Sequence, residues 1–158
     1  MTNEERKLLV EEIRILPNQI ELAIKNLNNS QLDTPYGEGK WTIRQVIHHI
    51  ADSHMHAYIR TKWTFTENEP RLKTYEQNDW AILSDAKTSP IDFSLSIISG
   101  IHSRWHFWFS SLNENDFSRK AIHPENGEMT LDLFLKIYCN HGKNHCKQIT
   151  DLRERMKW

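Results

Sequence analysis

The sequence is poor in the residues that interrupt helices and in those that cross-link chains. Among 158 residues there are only five Gly, five Pro and two Cys. So little Gly and Pro excludes a collagen-like chain and argues against a turn-rich sandwich. Two cysteines cannot build a disulfide scaffold. Cys139 and Cys146 fall on what reads as one helix, about 10 Å apart along its axis, too far to bond. Reduced thiols in a reducing cytoplasm are the expectation. Net charge is only −1 and no basic stripe appears, so neither nucleic acid nor an anionic membrane is expected as a partner. No apolar run approaches the roughly 20 residues of a membrane span. The opening MTNEERKLL lacks the apolar core of a signal peptide.

What is present is helical patterning and histidine. Hydrophobic residues make up 38% and charged residues 26%, and the apolar positions recur at helical spacing. Four main helices are read. The first covers about 3–28, with Pro17 inside it expected to kink or restart the helix. The second begins near Trp41, with Thr42 as N-cap and Gln45 completing a capping box, and runs to about Thr66. A short helix is expected around Tyr75–Ser84. Pro90 opens a third long helix over roughly 90–112. The segment FSRKAIHPENGEMT reads as irregular or a small hairpin around Asn126-Gly127. A last helix runs from about Thr130 to Arg155. The fold class is therefore all-α, a four-helix bundle in one domain over 1–158, which is enough chain for a sizeable core.

Nine histidines are present, and two HxxxH pairs occur, His102/His106 and His141/His145. Histidines at i and i+4 share a helix face and suit a transition metal. Helical phase separates the two pairs. His141 and His145 lie within about 40° of the centre of the apolar stripe on the last helix. Burying two imidazoles there without partners is costly, and a shared metal accounts for them. His102 and His106 lie roughly 75–115° from the centre of their own stripe, which places them at the boundary or surface. A catalytic metal usually takes three protein ligands. The second helix carries IHHIADSHMH. There His48 and His56 point away from the stripe, and phase leaves His49 and His54 both open as the third ligand.

KWTIRQVIHHIADSHMHAYIR together with HGKNH resembles the DinB-like superfamily, most closely its YfiT branch. QLDTPY, the segment around Tyr75, Trp80 and His123-Pro124 extend the likeness over nearly the whole chain from about residue 15. The resemblance implies a four-helix bundle with a three-histidine metal site. It maps the ligands to His49, His141 and His145, and makes His54 a neighbour in the pocket or a hydrogen-bonded helix residue. It also implies a metal-dependent hydrolase with zinc or nickel bound, or a thiol S-transferase using bacillithiol or another low-molecular-weight thiol, acting as a homodimer. The chain departs from the family in its HxxxH interior, where Gly142, Lys143 and Asn144 replace further histidine. Gly142 in mid-helix costs roughly 1 kcal/mol against Ala, which close helix approach would explain.

No side chain is assigned as the catalytic base, since neither a GxSxG elbow nor HExxH is present. The nucleophile would be water or a thiol activated by the metal, with a small molecule as substrate. Gln45 and Asp52, one turn from His49, are candidates to orient it. Glu76, Asp79 and Trp80 are candidates for the pocket rim. Cys146 lies off the inward face and reads as a helix residue, not a nucleophile. Aromatics on several faces of SRWHFWF suggest a dimer contact. The rival to an enzyme is a metal-stabilised bundle acting as an interaction or stress protein.

Overall fold

Four long helices pack around two apolar clusters separated by a layer of imidazoles. The computed structural model describes all residues 1–158. The long helices are α1 (Asn3–Ile24), α3 (Ile43–Thr66), α6 (Ile91–Ser110) and α7 (Leu131–Met156), with short helices α2 (Asn29–Leu32), α4 (Gln77–Ala81) and α5 (Ser84–Thr88) in the connections. Strands β1 (Lys120–His123) and β2 (Gly127–Thr130) pair antiparallel from Lys120↔Thr130 to His123↔Gly127. Gly127 takes a positive φ of 69° at the turn, a conformation that suits glycine. No helix is long and apolar enough to cross a membrane.

The helix starts follow from capping chemistry. Thr42 accepts from the Gln45 backbone N–H while the Gln45 side chain accepts from the Thr42 N–H, which begins α3 where the sequence places it. Thr2 and Glu5 do the same for α1. The short helix expected around Tyr75–Ser84 is instead two, α4 and α5. α1 ends at Ile24, short of 28, and does not restart at Pro17. Proline lacks the N–H that would bond to the carbonyl four residues back. That carbonyl belongs to Ile13, and the His102 ring supplies the missing donor (Nδ1 to O, 2.6 Å).

One cluster lies toward the hairpin and includes Val10, Ile13, Trp105, Phe109, Phe134 and Leu135. The other includes Leu16, Ile20, Ile43, Ile47, Ile50 and Ile149. Between them three of the long helices turn from apolar to polar. α3 contributes His49 and His54, α6 contributes His102, and α7 contributes His141 and His145. His102 was expected at the boundary or surface; it is fully buried, while His106 is only half-buried. The reason is that the buried face of α6 runs through Ser94, Ile98, His102, Trp105 and Phe109, whereas Ile101, Trp108 and Leu112, which shift the apolar stripe read from the sequence, are only half-buried. His48 also departs from its stripe yet is buried, facing Ser94 Oγ (2.7 Å) on α6.

Gly142 lets α1 and α7 approach closely. A Cβ there would lie 2.3 and 2.7 Å from the two methyls of Leu16, itself buried. Gly142→Ala is therefore expected to destabilise the fold by about 1–2 kcal/mol, the overpacking cost exceeding the gain in helix propensity. Thermal unfolding of the variant checks this, and a raised Tm would contradict it. A second expectation concerns acid. Burial lowers the His102 pKa to about 4, against its hydrogen bond to Ile13, which opposes the shift. The unfolded chain takes up this proton near pH 6.5 and the folded chain only near 4. Stability is thus complete above about pH 6.5 and falls as pH drops toward 4, by on the order of 3 kcal/mol for this ring. Denaturant titrations of wild type and His102→Gln, metal-free, should differ in slope across that interval.

Candidate metal centre

α3 and α7 each place histidine at the same level of the bundle. His49 Nε2 and His145 Nε2 both lie 3.2 Å from His141 Nε2. Ligating atoms of the three residues all lie within 4.8 Å of one another. The outer nitrogen of each ring has a partner. His145 Nδ1 donates to Gln148 Oε1 (2.8 Å). His141 Nδ1 lies 3.0 Å from His54 Nε2. His49 Nδ1 lies 3.4 Å from the Tyr75 hydroxyl.

This arrangement constrains the protonation of the inner nitrogens. Burial, with a smaller contribution from the neighbouring imidazoles, lowers the His49 and His141 pKa values to about 3; burial also lowers that of His145, against the Gln148 bond. The rings are neutral at pH 7. With Nδ1 donating outward, as His145 does to Gln148, Nε2 carries a bare lone pair. Bare lone pairs converging in a buried site repel unless a cation lies among them. Tetrahedral sites with metal–nitrogen bonds of about 2.0–2.1 Å hold their nitrogens roughly 3.3 Å apart, close to the 3.2 Å that separates His141 Nε2 from each of the other two. The donor set fits a zinc-like ion.

The rings form the base of a cleft of about 410 Å³, walled by Tyr36, Gly39, Lys40, Trp41, Gln77 and Asn78. Trp41 packs against His49 at 4.7 Å between ring centroids. The first wall is a tight loop, held by Tyr36 N–H to Trp41 O (3.0 Å), Ile43 N–H to Thr34 O (3.2 Å) and the Arg155 guanidinium on Tyr36 O (2.6 Å). Gly39 there has a positive φ of 65°. The second wall is α4. Gln45 holds its end by donating to Ala81 O (2.7 Å).

The residues proposed from the sequence distribute unequally around this cleft. His49, His141 and His145 come together. His54 lies behind His141, away from the cleft, and is fully buried. Gln45 does not reach the His49 ring, because its two polar ends are used by Thr42 and Ala81. Asp52 is half-buried, with its pKa raised to about 6 by burial and by Asp85, and makes no hydrogen bond to His49. Tyr75 occupies that place instead. Glu76, Asp79 and Trp80 do not line the cleft; Gln77 and Asn78, on the adjacent face of the same turn, do. Trp80 instead packs on Tyr75 (4.7 Å) and His56 (5.3 Å), behind the wall. Burial pushes the Cys146 thiol up to about 11, so it is no nucleophile at neutral pH. Tyr36, Lys40, Gln77 and Asn78 lie on loops and a one-turn helix, where no periodicity marks an inward face. Trp41 and Tyr36 flank the turn-rich GEGK, which was the available signal.

Similarity to known proteins agrees with this geometry. A Bacillus mycoides protein named "Putative metal-dependent hydrolase" is 46% identical over 149 residues, covering 94% of this chain and 86% of the relative. YfiT from Bacillus subtilis, described as a "probable metal-dependent hydrolase with an unusual four-helix bundle topology", superposes with a TM-score of 0.97 at 36% identity, covering 100% of this chain and 91% of that one. A mycothiol-dependent maleylpyruvate isomerase shares the fold, with a TM-score of 0.73 at 15% identity over 94% of this chain and 61% of its own. The DinB superfamily model matches residues 12–149, and the chain belongs to that superfamily.

Proposed function

We propose that this protein is a metal-dependent enzyme that binds one divalent transition metal, zinc in preference to nickel, and joins a low-molecular-weight thiol to a small electrophilic substrate. The observation that carries the reading is the convergence of three Nε2 atoms at the base of an open polar cleft. His49, His141 and His145 would hold the metal. When bound, such an ion supplies positive charge that lets a weak acid act as its conjugate base near neutral pH.

The cleft itself favours a thiol. None of its walls carries a carboxylate that could serve as general base. A thiol, with an ordinary pKa near 8.5, needs far less help to ionise than water at about 15.7. Lys40, Gln77, Asn78 and Tyr36 offer a cation and neutral hydrogen-bonding groups for the polar tail of such a molecule. The thiol-dependent isomerase of the same fold supports this choice. Hydrolysis is the second reading, favoured by the names that relatives 44–46% identical carry. Cytoplasmic residence suits both the thiol cosubstrate and the two reduced cysteines.

Elemental analysis should find about one metal per chain in wild type, as a tetrahedral site with three protein ligands requires, and little in His49→Ala, His141→Ala or His145→Ala. Metal-loaded wild type should conjugate bacillithiol or glutathione to a general electrophile at least ~10-fold faster than these variants, a conservative share of what an activated nucleophile contributes. Metal binding without conjugation of any thiol would transfer the assignment to hydrolysis. A metal that only raises Tm, with no exchangeable position, would favour the metal-stabilised bundle.

We further propose a homodimer. The outer face of α6 presents Phe93, Ile97, Gly100 and, beyond the exposed Arg104, Phe107 in one line, with Phe107 78% exposed. Apolar stripes of this kind usually meet a partner, and a second copy supplies a matching one. Light scattering at micromolar concentration should give twice the chain mass for wild type and the monomer mass for Phe107→Glu. A monomeric wild type refutes the dimer.

A further inference from the structure

Behind His141 the polar layer continues away from the cleft. His54 Nε2 lies 3.0 Å from His141 Nδ1, His54 Nδ1 lies 2.8 Å from His102 Nε2, and His102 Nδ1 lies 2.6 Å from Ile13 O. His54 and His102 are fully buried, and their rings meet edge to edge, with centroids 5.0 Å apart and planes 23° from parallel. No acidic side chain takes part in the chain. It ends on a main-chain carbonyl.

That ending gives the chain a direction. A carbonyl oxygen only accepts, so His102 must carry its proton on Nδ1. In a neutral ring Nε2 is then bare and can only accept, so His54 must donate from Nδ1. The same step places the bare nitrogen of His54 opposite His141, which must donate from Nδ1 in turn. His141 is left with Nε2 bare, facing His49 and His145. The Ile13 carbonyl is open to His102 because residue 17, four positions on, is proline and has no N–H for it.

We propose that His54 and His102 are positioning residues, a two-imidazole relay anchored on the carbonyl that Pro17 leaves free, which fixes the tautomer and ring orientation of His141 for metal binding. Outer partners of metal-binding histidines commonly set both, though usually through one carboxylate or carbonyl. Here two further imidazoles span the distance from α7 to α1 through α3 and α6. The relay ties all four long helices to one ring of the site. It rests on the metal-binding role given to His141 above.

Two measurements test it. Long-range 1H–15N correlation spectra of metal-free wild type at neutral pH should show Nδ1-protonated tautomers at His102, His54 and His141. An Nε2-protonated His141 or His102 would overturn the relay, whether or not the protein binds metal. Competition of a chromophoric chelator for Zn(II) should then show affinity lowered about 10–100-fold in His102→Leu and His54→Leu, with His102→Gln, which can still donate and accept, closer to wild type. Wild-type affinity in a folded His102→Leu would overturn it. If a Leu variant does not fold by circular dichroism, the tautomers of wild type and the affinity of His102→Gln still decide. Wild type that binds no Zn(II) would defeat the proposed function while leaving the tautomer result standing.

Discussion

A helix carbonyl without its helix donor stands at the head of the polar interior of this bundle. Pro17 withholds an N–H from Ile13, and the His102 ring provides one from another helix. A proline in mid-helix ordinarily costs about 3 kcal/mol, part of which is the lost hydrogen bond. That bond is replaced, and α1 continues to Ile24. Everything further along follows from the fact that an imidazole kept neutral by burial has one donor and one acceptor. Once the first ring is set, each later ring has only one way to be satisfied.

Around this layer the packing is divided. Two apolar clusters, one toward the hairpin and one toward the opposite end, hold the four long helices above and below the imidazoles. α3 is the element on which the cleft is assembled. Its Gln45 fixes the end of α4, its buried Arg44 pairs with Asp33 (2.6 Å) and reaches Ser89 O (3.1 Å), and its buried Arg60 donates to Lys73 O (2.6 Å). These long side chains set the loops before and after the helix, including the segment that brings Tyr75 to His49. The chemistry-bearing rings are thus on rigid helices, and the cleft walls are loops clamped to one of those helices.

The sequence made much of this legible, for identifiable reasons. Thr42 and Gln45 mark the start of α3 because a capping box is local chemistry. His141 and His145 stand out because they fall on the apolar face of an amphipathic helix, where a polar residue is conspicuous. His102 was misplaced because Ile101, Trp108 and Leu112 shift the apolar stripe of α6 away from its buried face, which runs through Ser94, Ile98, His102, Trp105 and Phe109. His49 and His54 could not be separated by phase, and both prove to belong to the inner layer, on opposite sides of His141. The cleft walls were illegible for another reason. Tyr36, Lys40, Gln77 and Asn78 face inward through loop geometry and distant clamps, and neither leaves a period in the chain.

The main-chain end of the imidazole chain also bears on proton traffic. Rows of hydrogen-bonded imidazoles can conduct protons when both ends can exchange them. This one terminates on an amide oxygen that neither stores nor releases a proton, deep in an apolar cluster. It is a dead end. Along this row a proton reaches no further than the Ile13 carbonyl, and the bundle interior beyond it is insulated from the cleft.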